Sequence, residues 1–207
     1  MNIEKNSRPY KNLFNGSDQF YLADPTKITI KKNGGKRWGV QKEFSLVLEY
    51  CLDGHLDGTL NKGVVLPPIR KSDNKCIWGA IDVDGEVYNN EEIKIELLQK
   101  VEKLKLPLLP CYSKSKGLHF YIFFNDWTDA KTVRDILLTF LHKLDLPDDT
   151  ERFPKQVELK PTDTGNGIML PFMNGIGNDY IKSSNEKKII TGTLFEFELA
   201  AGLNIVN

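Results

Sequence analysis

Cysteine is scarce in this chain of 207 residues: Cys51, Cys76 and Cys111 are its only thiols, odd in number and scattered. Their spacing argues against a disulfide framework and against a structural zinc site. It favours a reducing, cytoplasmic setting in which the three act as small core residues. Long apolar runs are also missing. None approaches the length that crosses a bilayer, and the opening MNIEKNSRPY lacks the features of a signal peptide, so no membrane partner is expected. Neither sign of charge is in excess, since 28 basic residues meet 28 acidic ones. That argues against a protein coating nucleic acid by bulk attraction. The balance is uneven locally: residues 1–40 hold eight Lys or Arg against three Asp or Glu. A phosphate backbone would therefore touch this part or a local groove, although an ordinary solvated surface explains the count equally well.

What is present is enough apolar residue, 40%, for one large domain or one and a half. Residues 1–70 read as a small mixed α/β N-terminal subdomain. KITIKKNGGKRW is a strand running into a Gly-Gly turn, EFSLVLEYCL a short helix, and GVVLPPI an extended run stopped by Pro67 and Pro68. His55 falls in the Gly-flanked turn GHLDG. Residues 71–207 read as a second unit. CIWGAIDVD is a strand, followed by a helix capped by Asn89 or Asn90 with Ile93, Leu97, Val101 and Leu104 at helical spacing. LPLLPCY is a short strand, and LHFYIFF is a strand apolar on both faces and therefore central. A helix from Thr128 or Asp129 buries the stripe Val133, Ile136, Leu137, Phe140, Leu141 and Leu144, and FPKQVELKP and GIMLPF supply two further strands. The order strand, helix, strand, strand, helix, strand is the split βαβ arrangement of ferredoxin-like and RNA-recognition folds, an α+β class. Both helices should cover one face of the sheet and leave the other for chemistry.

Asp82 and Asp84 alternate along a strand and so share a face. Their repulsion is relieved by a shared divalent cation, magnesium or manganese suiting such oxygen ligands; the other reading is a strand end before the Asp84-Gly85 turn. SKSKG is a small cationic turn whose Ser113, Ser115 and Lys116 suit phosphate, and His119 follows on the next strand, where it can meet a triphosphate oxygen or move a proton. A histidine satisfied by local hydrogen bonds is the alternative. Glu158 and Lys160 alternate in VELK. There they would supply a third carboxylate for two-metal nucleotidyl transfer and a point charge for the triphosphate, or else a cross-strand ion pair. Asn166, in Gly165-Asn166-Gly167, reads first as a tight turn and second as a ligand contact.

These pieces, in this order, resemble the archaeo-eukaryotic primase superfamily, nearest to the primase domain of the TOTE conflict systems and related phage or mobile-element primase-polymerases. LFNGSDQFYL resembles that family's opening segment, and GHLDGTLNKGVVLPPIRKSDNKCIWGAIDVD its run into the acidic strand. SKSKGLHFYIFF resembles its Ser-and-His motif, and FPKQ followed by GNGIMLPF its closing block. The resemblance implies that Asp82 and Asp84 are metal-binding carboxylates and that Ser113 or Ser115, with His119, holds the incoming nucleotide's phosphates. Glu158 is the choice for the third carboxylate, with Glu151 as fallback. It further implies a primase-polymerase that makes or extends primers on single-stranded DNA from nucleoside triphosphates, with a helicase or nuclease in the same polypeptide or a neighbouring one. The alternatives are a non-catalytic single-stranded nucleic-acid-binding module on the same fold, and a metal-dependent nuclease or glycosyltransferase. The Ser-Lys turn suits a triphosphate better than either reaction of the last pair.

Overall fold

The computed structural model describes residues 8–30, 36–43, 45–85, 90–114, 116–175, 179–185 and 188–206. In chain order the elements are α1 (Arg8–Leu13), β1 (Phe20–Ile30), β2 (Lys36–Glu43), α2 (Leu48–Asp57), β3 (Gly63–Leu66), β4 (Lys75–Val83), α3 (Glu91–Lys103), β5 (Leu109–Tyr112), β6 (Leu118–Asp129), α4 (Ala130–Lys143), β7 (Glu151–Phe153), β8 (Ile168–Met169), β9 (Tyr180–Asn185), β10 (Lys188–Gly192) and α5 (Leu194–Leu203). Among the described residues they form two antiparallel sheets, ordered β2-β1-β3-β8 and β10-β9-β5-β6-β4-β7. No helix there is long and apolar enough to cross a membrane.

In the larger sheet β6 lies between β5 and β4, and β7 flanks β4. Asn90 starts α3 by accepting from the Glu92 and Ile93 N–H groups, both at 3.1 Å, which satisfies donors that have no partner within the helix. The apolar stripes of α3 (Leu97, Leu98, Val101) and α4 (Val133, Leu137, Leu141) share one buried cluster with Ile81, Val83, Leu118, Phe120 and Ile122. Both helices thus cover the sheet face that presents these strand residues. The approach of α4 requires Gly79: a Cβ there would lie 2.9 Å from Val133 Cγ1 and 3.0 Å from the Phe153 carbonyl oxygen.

The opposite face is covered by chain from both ends of the sequence. Trp78, Ala80, Cys111, Tyr121 and Phe153 join Tyr10 and Phe14 of the N-terminal segment and Phe197 of α5 in a second cluster. The opening LFNGSDQFYL segment has a structural explanation here. Phe14 is fully buried at the centre of the aromatic side chains, and Gly16 passes so close to Pro68 that a Cβ would sit 2.9 Å from its carbonyl oxygen.

Several expectations change. The helix expected over EFSLVLEYCL begins only at Leu48 and continues through GHLDG to Asp57, so His55 is helical rather than in a turn. FPKQVELKP is not a strand: β7 ends at Phe153, and residues 156–160 carry no strand pairing. GIMLPF supplies only two strand residues, and they pair with β3 in the smaller sheet. Strands β9 and β10 and helix α5 are additional to what the sequence suggested.

His55 is fully buried; its Nδ1 accepts from the Val64 N–H at 3.1 Å, so its Nε2–H donates to the Pro171 carbonyl at 2.9 Å. Burial pushes its pKa down to about 4. The unfolded chain therefore binds a proton between about pH 6.5 and 4 that the folded chain does not, so stability falls as pH drops through that window, by about 3 kcal/mol at most. Urea unfolding at pH 7 and pH 4.5 should show this loss, and a His55→Gln variant should lose distinctly less. Equal losses in both would rule out His55 as the source.

Candidate active site

Strand register builds one row across the larger sheet. Tyr180 pairs with Cys111, Cys111 with His119, His119 with Asp82, and Asp82 with Glu151. Directly paired residues of antiparallel strands point to the same face, so these side chains lie on the face away from α3 and α4. His119 and Asp82 meet: Nε2 lies 3.3 Å from Asp82 Oδ1, and the side chains are 8% and 17% exposed. The contact is poorly aligned, and Asp82 Oδ1 is buried without a hydrogen-bond donor. Burial pushes the Asp82 carboxyl up, but the His119 ring and the neighbouring Asp84 carboxyl outweigh it and hold it below its ordinary value. Asp84 stands one residue beyond the end of β4, exposed, and hydrogen-bonds with Asp82.

Two cavities flank this contact. One, of about 710 Å³, is lined by His119, Ser113, Lys114, Lys116, Lys94 and Asp179, among others. The other, of about 630 Å³, is lined by Asp82, Asp84 and Glu151 together with Glu96, Asp145 and Asp149. The Ser-Lys turn is closed by its own hydrogen bonds: Ser113 Oγ accepts from the Gly117 N–H at 3.0 Å, and Lys116 takes a positive φ of 68°. Ser115 lies outside the described residues. Lys114 Nζ sits 4.5 Å over the Trp38 ring, which brings β2 of the smaller sheet to the first cavity.

The Glu158 and Lys160 pairing does not survive. Both are exposed, and the Leu159 N–H between them donates to Asn74 Oδ1 at 2.9 Å. Asn74 precedes the far end of β4, eight residues from Asp82, or about 25 Å along a strand. The alternation of VELK lacks a partner strand, so it sets no shared face towards the carboxylates. Glu151, by contrast, is the register neighbour of Asp82 and carries an ion pair to Lys155 at 2.6 Å. Asn166 turns to Gln156: its N–H donates to Gln156 Oε1 at 3.1 Å and its Oδ1 accepts from Gln156 Nε2, which ties FPKQ to GNGIMLPF. Among the described residues no three His, Cys, Asp or Glu side chains gather closely enough to hold a metal ion.

The sequence reading missed Lys94 and Asp179. Lys94 is 1% exposed and its Nζ pairs with Glu91 at 2.8 Å. A lysine in EEIKIELL reads as a solvated helix position, and only the packing reveals otherwise. Burial raises the pKa of Asp179, whose Oδ2 accepts from the Phe172 N–H at 2.5 Å.

A sequence model of the Archaeo-Eukaryotic Primase domain of the TOTE conflict system matches residues 12–179. The chain belongs to this family. The match runs from Lys11's neighbour Asn12 to Asp179 and so takes in all the residues of both cavity walls named above. Membership supports a primase-type function. No curated protein matches it. Among solved structures, the crystal structure of primase RepB' is similar over 95% of this chain, at 10% identity and a TM-score of 0.38, a likeness too loose to carry weight. The primase domain spans 61% of that chain's length.

Proposed function

We propose that the chain is a primase-polymerase catalytic domain, with the strand–helix–strand–strand–helix–strand unit from β4 to β7 as its split βαβ core. It would transfer nucleotides to a primer, or begin one, on a single-stranded DNA template. The observation that carries this reading is the Asp82–His119 contact, where a carboxylate oxygen without a donor meets the histidine of a cationic cavity. Ser113, Lys116 and His119 would hold the triphosphate of the incoming nucleotide in the 710 Å³ cavity, a volume suited to such a ligand. Asp82 and Asp84 would hold magnesium or manganese with water and phosphate oxygens filling the remaining positions, and Glu151 rather than Glu158 is the carboxylate beside them in the strand register. The donor set fits: it is all oxygen, and one buried oxygen lacks a partner. Bound there, a divalent ion would lower the pKa of the attacking 3′-hydroxyl and steady the departing pyrophosphate. The residues themselves do three things. Asp82 and Asp84 fix the negative end of the site, His119 donates to a phosphate oxygen from Nε2 once a second proton is taken up there, and the Ser113–Gly117 turn closes over the triphosphate.

The test is incorporation of labelled nucleotide on primed and on unprimed single-stranded DNA, with magnesium and with manganese. Incorporation on the primed template supports the polymerase reading, and incorporation on the unprimed template adds priming. None under any condition sinks the reading in favour of a non-catalytic nucleic-acid-binding module. Within the site, Glu151→Gln should lower kcat by roughly a hundredfold, whereas Glu158→Gln should leave it within about twofold. The reverse pattern would restore Glu158 as the third carboxylate.

A further inference from the structure

Tyr121 lies two residues beyond His119 on β6 and shares its face, and it is fully buried. Its hydroxyl donates to the Met169 carbonyl at 3.1 Å, and His119 Nδ1 lies 3.1 Å from the same oxygen. A phenol has one proton. A carbonyl only accepts, so that proton goes to Met169, and the phenol oxygen is left to accept from His119 Nδ1–H. The neutral ring then carries no proton on Nε2, the nitrogen that faces Asp82. We infer that Tyr121 is a positioning residue that fixes both the orientation and the tautomer of His119, presenting Nε2 to the reacting site.

The inference reaches beyond one hydrogen bond, because Met169 belongs to β8 of the smaller sheet. Its register is held by Val65 of β3, and the loop before it is held by the Asn166 and Gln156 pair. Within FPKQ, Lys155 pairs with Glu151 at 2.6 Å; Gln156 and the GNGIMLPF block reach the site less directly. They act through Met169 and Tyr121 on His119. Burial pushes the Tyr121 hydroxyl well above its ordinary pKa, so it stays a proton donor. His55 supplies an internal contrast, since its bonds place the proton on Nε2 rather than Nδ1. The functional consequence rests on the proposed role of His119 in holding the nucleotide.

Tyr121→Phe keeps the ring that packs against Phe14 and Trp78 and removes only the hydroxyl. Long-range proton–nitrogen spectra of the ¹⁵N-histidine-labelled protein, at a pH where all three imidazoles are neutral, should show His119 protonated at Nδ1 and His55 at Nε2. In Tyr121→Phe the His119 pattern should shift towards the Nε2–H form, with His55 unchanged. The same variant should raise the nucleotide KM by roughly five- to tenfold with kcat within about twofold. In a His119→Ala background it should add nothing, because a residue that acts through another is not additive with it. An unchanged His119 pattern, or a KM effect that persists without His119, overturns the inference. A wild type that incorporates no nucleotide but shows the expected spectra overturns the primase reading alone and leaves the Tyr121–His119 pair standing.

Discussion

Asp82→Ala, alone or with Asp84→Ala, is expected to cut nucleotide incorporation on the order of a thousandfold or more, equivalent to about 4 kcal/mol of transition-state stabilisation. The fold should not suffer. Asp82 Oδ1 is buried without a donor, so alanine removes an unsatisfied polar atom rather than creating one. The melting temperature should therefore stay level or rise while activity disappears, the trade expected where a site is built at the expense of stability. A purified variant that melts like wild type and still extends a primer at near wild-type rate would remove Asp82 from the chemistry. One that loses activity only because it unfolds would mark the residue as structural.

Phe14→Ala carries the largest expected stability effect. The Phe14 ring centroid lies 4.8 Å from Tyr10, 5.1 Å from Trp78, 5.4 Å from Tyr121, 5.5 Å from Phe123 and 6.1 Å from Phe197. Truncating a fully buried phenylalanine costs about 3–5 kcal/mol through lost transfer energy and the cavity left behind. In a chain of this size that lowers Tm by about 10 °C or more. Phe14→Leu should lose clearly less, since it refills most of the volume. A shift of under about 3 °C for the alanine variant would show that the aromatic cluster relaxes around the hole and that Phe14 is not its centre.

The part of the site legible in the sequence is the part carried by local pattern. Asp82 ends an apolar strand, and the Ser-Lys turn leads directly into His119 at the start of another. A single antiparallel pairing, β4 with β6, brings the carboxylate and the imidazole together. The strand expected over Glu158 is absent for the converse reason. Val157, Glu158, Leu159 and Lys160 alternate as a strand does, yet Val157 is 47% exposed and only Leu159 is buried. Period two marks a strand only when a neighbour exists to pair with it, and no residue string reports that. Lys94 and Asp179 were illegible because burial of a charge depends on distant chain. Strand β9, YIKSSN, is too polar to stand out. Tyr121 was within reach, since residues i and i+2 of a strand share a face, but its acceptor on β8 was not.

Strand β8 has a consequence for how the molecule comes apart. It follows β7 in sequence yet hydrogen-bonds to β3, so the smaller sheet is closed by a segment that leaves and re-enters the larger one. A chain crossing of this kind acts as a strap. The smaller sheet cannot peel away without withdrawing the Met169 carbonyl from Tyr121 and uncovering the aromatic side chains around Phe14. Loosening of the N-terminal strands would then be felt first at His119. Mechanical coupling between periphery and candidate site is thus written into the order in which the chain visits its two sheets.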